Sequence, residues 1–490
     1  MFLKKQNIFL SLVLLSFIGL TSCNKGGSSV TGWKYNDSDW GGFEVREYAG
    51  QVTGPGLVLI EGGTFMMGNT EQDVMYEHHT IPRRVTISTF YLDQTEVANV
   101  HYREYLYWTR RVFGADYPQV YKRALPDTLV WRDELAYNEP YVEWYLRHPA
   151  YNYYPVVGVN WLQANDFCSW RTDRVNEKIL IDQGVLEVNP NQINEDNFNT
   201  EAYIVGQYEG MVKRPFKDLN PSSAGERKVR MSDGVLLPKY RLPTEAEWEF
   251  AAMGLIGNQP FKNEERITDR RLYPWNGTSL RYPKHGSWQG DLLANFKRGR
   301  GDNMGLAGNL NDNADVTAPV NAYFPNDYGL YNMVGNVSEW VMDVYRPMTS
   351  SDGNDFRTFR GNEYQTKVLD DDGKPVEKDS LGRVNKRMVT EEESVKRRNY
   401  KRGDVRNFDD GDENSWAEYD FGKSTLVNDN ARVVKGGSWK DRAYYMTPGA
   451  RRFLDQEQST DDIGFRCAMD RVGSPSGNQF KGGNNFKRRK

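Results

Sequence analysis

Few side chains in this sequence could do chemistry. The chain has three cysteines, Cys23, Cys168 and Cys467, and five histidines, His78, His79, His101, His148 and His285. The histidines lack the spacing of a ligand cluster, and the adjacent pair His78-His79 reads as a solvated loop pair. No G-x-S-x-G nucleophile turn, H-E-x-x-H zinc helix or phosphate-binding glycine loop occurs. The local signatures of hydroxyl-nucleophile, zinc-hydrolase and nucleotide chemistry are therefore missing. What remains is the chemistry of thiols and of hard oxygen ligands.

The 490 residues fit two or three average domains, or one domain with large insertions. A net charge of -4, from 63 Lys+Arg against 67 Asp+Glu, gives no global field that would favour nucleic acid. With 45 Gly, 29 Tyr, 13 Trp and 38% hydrophobic residues, the chain reads as loop-rich, with aromatic rings supplying much of the core.

Cys23 sits at the end of a targeting segment. Residues 1–22 carry Lys4 and Lys5, then the 13-residue apolar run Ile8–Leu20. That run is shorter than the roughly 20 residues that span a bilayer, so it reads as a signal peptide. Leu20-Thr21-Ser22-Cys23 looks like a bacterial lipobox, which makes Cys23 the lipidated first residue of the mature chain. The competing reading, an ordinary signal with an unrelated cysteine, lacks the A-x-A-like cleavage site. Asn24-Lys25-Gly26-Gly27 resembles neither the acidic surface-export run nor the inner-membrane retention Asp. An outer-membrane anchor facing the periplasm is expected. Residues 23–55, Gly/Ser-rich at first and without a sustained period, read as a tether lifting the folded part off the membrane.

The elements that must position any site follow. Val58–Ile60 and Glu61–Gly68 read as two short strands around a glycine turn, and Arg84–Thr95 as a strand. Helical spacing then runs over Glu96–Phe113 through Val100, Tyr105 and Trp108. Asn160 and Gln163 form a capping box for a helix that Gly184 stops. Thr244 and Glu247 form another, with Trp248 and Ala251 facing the core. Charge runs at Asp370–Asp372 and Lys396–Arg398 read as solvated loops, with a partner surface as the alternative. The tail, 471–490, ends in Lys487-Arg488-Arg489-Lys490 and has the composition of a disordered segment.

Five strings occur in one order: Gly62-Gly63-Thr64-Phe65-Met66-Met67-Gly68; Val159-Asn160-Trp161 through Cys168-Ser169-Trp170; Arg241-Leu242-Pro243-Thr244-Glu245; Asn332-Met333-Val334-Gly335-Asn336; and Gly436-Gly437-Ser438-Trp439 followed by Gly464-Phe465-Arg466-Cys467-Ala468. In this order they resemble the formylglycine-generating-enzyme (sulfatase-modifying-factor) domain, a variant of the C-type-lectin fold. The resemblance implies an α+β, loop-rich domain over 56–470, with insertions at 171–240 and 344–432. The first is expected to be part helix extension and part polar loop, and both are places for interaction surface.

In that family the closing segment carries two copper-binding cysteines. Here Asp441 and Met446 stand near those positions, so copper-dependent thiol oxidation, which needs a soft two-thiolate site, is expected to be absent. The resemblance implies a disulfide between Cys168 and Cys467, with two buried thiols as the alternative. It also implies calcium as a structural cofactor, on Asn332, Gly335, Val337 and Glu339, and more weakly on Asn295, Phe296, Asp312 and Ala314. Oxygen sets of this kind suit Ca²⁺, although Asn332 and Glu339 could equally hold loop backbone.

The lipobox, the missing copper cysteines, the insertions, and strings such as His148-Pro149-Ala150-Tyr151 and Pro155–Trp161 together resemble the GldK/PorK lipoproteins of the type IX secretion and gliding machinery, with the paralogous GldJ as the alternative. That resemblance implies a non-catalytic subunit of a periplasmic ring. It would self-associate and contact a PorN/GldN-like periplasmic protein and a PorG-like outer-membrane protein. A glycan- or peptide-binding module and a formylglycine-generating-type oxidase are the competing functions.

Overall fold

The structure is a computed structural model describing residues 27–48, 50–68, 80–223, 225–254, 271–299, 312, 314–346, 359, 361, 365–390, 393 and 430–473. The signal peptide, Cys23, His78, His79, the Lys396–Arg398 cluster and most of the basic tail lie outside them. Among the described residues, no helix is long and apolar enough to cross a membrane.

Two four-stranded sheets organise a mixed helix-and-strand fold. The first has the order Leu57–Ile60, Phe90–Asp93, Ala468–Asp470, Tyr240–Arg241, all antiparallel. The second has the order Arg452–Asp455, Ala431–Lys435, Ser338–Val344, Ile463–Gly464, the last pair parallel. Residues 431–470 thus supply three strands to the second sheet and one to the middle of the first. A chain end that is interior to both sheets locks them together, because removing it unpairs strands on either side.

The two short N-terminal strands form, but not with each other. Leu57–Ile60 pairs with Phe90–Asp93, while Gly63–Met67 pairs with Arg83–Ile87. The expected single strand over Arg84–Thr95 is therefore two, in different sheets. The break is forced by close approach: a Cβ on Gly62 would lie 2.2 Å from the Ile87 carbonyl oxygen, and Gly62 N donates to Thr89 Oγ1 (3.1 Å). Period-2 patterning could not see this. Arg83–Ile87 alternates in burial, but Phe90–Asp93 is buried throughout.

The helix Asn99–Phe113 buries Tyr102, Tyr105, Leu106, Thr109 and Val112 on one face. It meets the helix Trp161–Asp182 through Phe167, whose ring lies 5.7 Å from Tyr102 and 5.8 Å from Tyr105. Both capping boxes form, at Asn160/Gln163 and Thr244/Glu247, and Gly184 takes the left-handed conformation expected of a stop (φ 71°). Trp248 and Ala251, on the helix Glu245–Met253, are fully buried in the core between the sheets. A large apolar side chain contributes about 1.5–3 kcal/mol by leaving water, and the single methyl of an alanine about 0.8 kcal/mol.

The first insertion departs from its polar-loop reading. From the last turn of the helix onward it builds its own apolar cluster from Leu180, Val185, Leu186, Phe198, Tyr203, Tyr208, Val229 and Leu236. These residues are too widely spaced for any local period to mark them. The second insertion, where described, carries a hairpin of Gln365–Lys367 and Lys386–Met388. Asp370 heads a tight turn, accepting from Asp372 N and Lys374 N, so part of that acidic run serves the backbone. The two insertions touch: Asn197 Nδ2 donates to Leu381 O (2.8 Å), Gln207 Nε2 to Val376 O (2.9 Å), and Lys386 pairs with Glu201 (2.6 Å).

The described residues of 27–55 are also seated rather than free. Arg227 bridges Glu44 (2.6 Å) and Asp233 (2.7 Å), and Gln51 Nε2 donates to Asp470 O (3.1 Å). The described part of the expected tether is a docked segment.

Candidate functional site

The closing segment is built around a turn after Ala431–Lys435. Gly436 and Gly437 take positive φ (99° and 64°) and bring Ser438 under the next residues. Ser438 donates from its backbone N and its Oγ to Asp441 Oδ2 (2.8 and 2.7 Å). Arg452 then grips Asp441 with two parallel bonds, Nη1 to Oδ1 (2.8 Å) and Nη2 to Oδ2 (2.6 Å), and reaches Ser338 Oγ. Bidentate guanidinium–carboxylate pairs are the strong, directional ion pairs. Met446 is completely buried in the inter-sheet core. Trp439 lies nearly parallel to Trp131, with ring centres 6.3 Å apart.

The neighbouring arginine is used in the same way. Arg451 Nε donates to buried Glu245 (2.6 Å), and Lys435, fully buried, pairs with Glu249 (3.2 Å). Glu249 in turn accepts from Gly68 N (2.8 Å), which ties the first motif string to the last. Positions 441 and 446 thus hold a carboxylate fixed by its arginine and a core thioether, and neither is a thiolate. The arrangement can hold two sheets in register; it presents no nucleophile there.

Cys168 and Cys467 meet. Their sulfurs are 3.3 Å apart, both residues are buried, and both are free thiols in the structure. Burial, followed by the neighbouring Cys168, pushes the Cys467 thiol well above the usual range. Beside them Asp93 accepts from Cys467 N (2.8 Å) and pairs with Arg171 (2.7 Å).

Between the sheets lies a second ionic centre. Arg466, fully buried, donates to both Glu339 oxygens (2.6–2.8 Å), to Asp93 O (3.1 Å) and to Tyr331 O (2.9 Å). Trp248 Nε1 also donates to Glu339 (2.7 Å). Glu96 accepts from Asn332 Nδ2 and Asn336 Nδ2, each at 3.0 Å. Burial pushes the Glu96 carboxyl up to about 8, with Glu339 adding to the rise, against the lowering pull of Arg466 and the two amides. Because the folded value lies above the unfolded one, Glu96 favours the native state most below pH ~4.5, and this is lost as pH rises through ~8. Thermal melts should therefore fall in midpoint from pH 5 to pH 8, and Glu96→Gln should fall less over that range; an unchanged slope would show that Glu96 does not set it.

This centre contains the first expected calcium set. Asn332 Oδ1 is buried without a hydrogen-bond partner, which suits an oxygen awaiting a hard cation. Asn332 and Asn336, both at positive φ (49° and 63°), wrap the loop that carries Gly335 and Val337. The carboxylate of Glu339, however, is already matched by Arg466. In the second set, Asn295 O accepts from Asn336 N (2.8 Å), Asp312 O from Tyr323 Oη (2.7 Å), and Asp312 Oδ1 from Ala314 N (3.3 Å), while Phe296 is buried. The two sets meet at Asn336. Among the described residues, no group of three or more His, Cys, Asp and Glu side chains is placed to share a metal. His148 Nδ1 accepts from Ala150 N (3.1 Å), a capping role, and His285 lies beside Gln289.

The residues that sequence reasoning did not single out are Arg466, Glu96, Asn336 and Lys435. One signal was present: a charged residue within an otherwise buried string, as in Gly464–Ala468, requires a buried counter-charge.

The sulfatase-modifying factor enzyme 1-like domain matches residues 43–398 and 408–471, beginning upstream of Gly56. The formylglycine-generating enzyme of Mus musculus is 27% identical over 350 residues, covering 65% of this chain and 72% of its own. The inactive C-alpha-formylglycine-generating enzyme 2 of the same organism is 26% identical over 337 residues, covering 64% of this chain and 76% of its own. Among solved structures, PvdO from Pseudomonas aeruginosa aligns with a TM-score of 0.40 at 16% identity, over 86% of this chain and 99% of that one. With five motif strings, two interlocked sheets and a domain match over most of its length, this chain belongs to the sulfatase-modifying factor enzyme 1-like family.

Proposed function

We propose that the protein is a non-catalytic lipoprotein of the GldK/PorK kind, on a formylglycine-generating-enzyme-like variant of the C-type-lectin fold, acting as a structural subunit of a periplasmic ring in type IX secretion. The observation that carries the non-catalytic part is the Asp441–Arg452 pair together with buried Met446, at the positions that resemble the copper cysteines of the enzymes. A metal oxidising a thiol there would need soft ligands, and the residues present are a paired carboxylate and a core side chain. An inactive relative within the family supports the same reading. The insertions, with a core of their own and direct contacts to each other, supply surface beyond the shared fold.

The ring, its PorN/GldN-like and PorG-like partners, and the anchor at Cys23 are tested together by pull-down from detergent-solubilised membranes followed by negative-stain microscopy. Co-purifying partners and ring-shaped particles are the expected result. Recovery of the protein alone as a monomer would overturn the subunit reading. Cys23→Ala should release the chain from the membrane fraction.

Calcium is proposed as a structural ion at the first set, on the strength of the unsatisfied Asn332 Oδ1. Titration calorimetry of EDTA-treated protein should give a binding isotherm and a raised melting temperature. The absence of both a binding heat and a melting shift would remove both calcium sites.

A further inference from the structure

The docked N-terminal segment carries an aromatic face that the fold does not use. Residues 28–45 form two consecutive turns. Ser28 N donates to Trp33 O (2.7 Å) and Asn36 N to Phe43 O (2.9 Å), while the Asn36 side chain both donates to and accepts from the Val45 backbone (3.0 and 2.9 Å). Trp33 and Trp40 meet edge to face, with centres 6.0 Å apart, Lys34 Nζ lies 5.7 Å from the Trp40 ring centre, and Tyr35 contacts Phe43 at 5.6 Å. After these contacts, Val30 remains 91% exposed, Phe43 65% and Trp33 56%.

This face is held rigidly on the body. Gly42, at φ 72°, sits so close to the first insertion that a Cβ would lie 1.9 Å from the Leu219 carbonyl oxygen. The Glu44–Arg227–Asp233 clamp fixes the next turn, and Arg227 holds both carboxyls below the usual range. Five Cα–Cα steps separate Cys23 from Ser28, a reach of at most about 18 Å.

We propose that residues 28–45 form a membrane-apposed foot, whose Trp33, Trp40 and Phe43 rest in the lipid headgroup region of the leaflet that holds the Cys23 anchor. The inference rests on the lipid-anchor reading above. Amphipathic aromatic rings prefer the boundary between headgroups and acyl chains, and a neighbouring lysine can direct its ammonium to the headgroups. The short covalent reach brings the face to that depth, and the rigid seat passes the orientation on to the body. Over residues 24–46, Lys25, Lys34 and Arg46 balance Asp37, Asp39 and Glu44, so the contact is driven by the rings and should be insensitive to salt.

The test uses the mature lipidated protein in zwitterionic phosphatidylcholine vesicles with brominated acyl chains, which quench nearby tryptophans. Wild-type protein should show quenching that persists at high salt and is largely lost in Trp33→Ser/Trp40→Ser, with an unchanged melting temperature. Equal quenching in that variant, or no quenching of wild type whose Cys23 is shown by mass spectrometry to carry lipid, would overturn the foot and leave its face for a protein partner. The anchor fails separately: an unmodified Cys23 refutes lipidation. Without the anchor the short reach that brings the face to the membrane is gone, so that result overturns the foot as well, whereas absent quenching with lipid on Cys23 overturns the foot alone.

Discussion

Replacing Arg466 with Met should cost about 3–5 kcal/mol of folding stability, the penalty for stranding a buried charge. Arg466 is completely buried and makes bonds to Glu339, Asp93 O and Tyr331 O, which lie on two other stretches of chain, one at 93 and one at 331–339. Without it the Glu339 carboxylate keeps Trp248 Nε1 but loses its counter-charge, and Glu96 loses the nearest cation that favours its ionised form. Urea denaturation measures the loss directly. The double change Glu339→Leu/Arg466→Met should recover most of it, because removing both charges leaves no unpaired ion in the core. A single-mutant loss below about 1 kcal/mol would show that water or a bound cation already serves Glu339, and the ionic centre would not be the hinge between the sheets.

The legible part of the fold was the part written in local chemistry. Asn160/Gln163 and Thr244/Glu247 are capping boxes because one residue's side chain and another's backbone lie three positions apart, a relation that sequence states outright. The motif strings gave the order of the core elements for the same reason. What sequence could not state was which distant residues would meet. Arg84–Thr95 looked like one strand because alternation continues across Ser88-Thr89, and the turn there is imposed by Gly62 from another part of the chain. The first insertion looked polar because Phe198, Tyr203, Tyr208 and Val229 are diluted by polar neighbours and become a core only when folded together.

The candidate site divides along the same line. The absence of cysteine at Asp441 and Met446 was plain in the sequence, but the two roles that replaced thiol chemistry were not. Arg451 and Arg452 are adjacent, yet one serves Glu245 and the other Asp441. Only the folded chain, with Arg452 opening the strand Arg452–Asp455 and Arg451 just before it, assigns them. The ionic centre needed four stretches of chain at once: Glu96 ahead of one helix, Trp248 within another, Asn332 and Glu339 in and just after the fourth string, and Arg466 in the last. A pairwise spacing rule cannot reach across such separations.

Protein isolated from an oxidising compartment should contain the Cys168–Cys467 bond, and reducing it should lower the melting temperature. The sulfurs are already in contact across 299 positions of sequence. A cross-link between residues so far apart removes much of the freedom of the unfolded chain, about 5–6 kcal/mol on the entropy model, although engineered bridges often deliver less. The bond would fasten the helix Trp161–Asp182 to the strand that sits in the middle of the first sheet, so its loss should also loosen the closing segment. Burial sets the order of events. With the Cys467 thiol held well above its usual range, little thiolate is present once the strand has docked, so reduced protein should reoxidise slowly when folded and readily from denaturant. Mass spectrometry of unreduced protein with alkylation after unfolding counts the thiols: one unit short by two hydrogens and no alkylation supports the bridge. Two alkylated cysteines, together with a melting temperature unmoved by reductant, would make the pair a buried thiol contact and leave the Arg466 centre to hold the sheets.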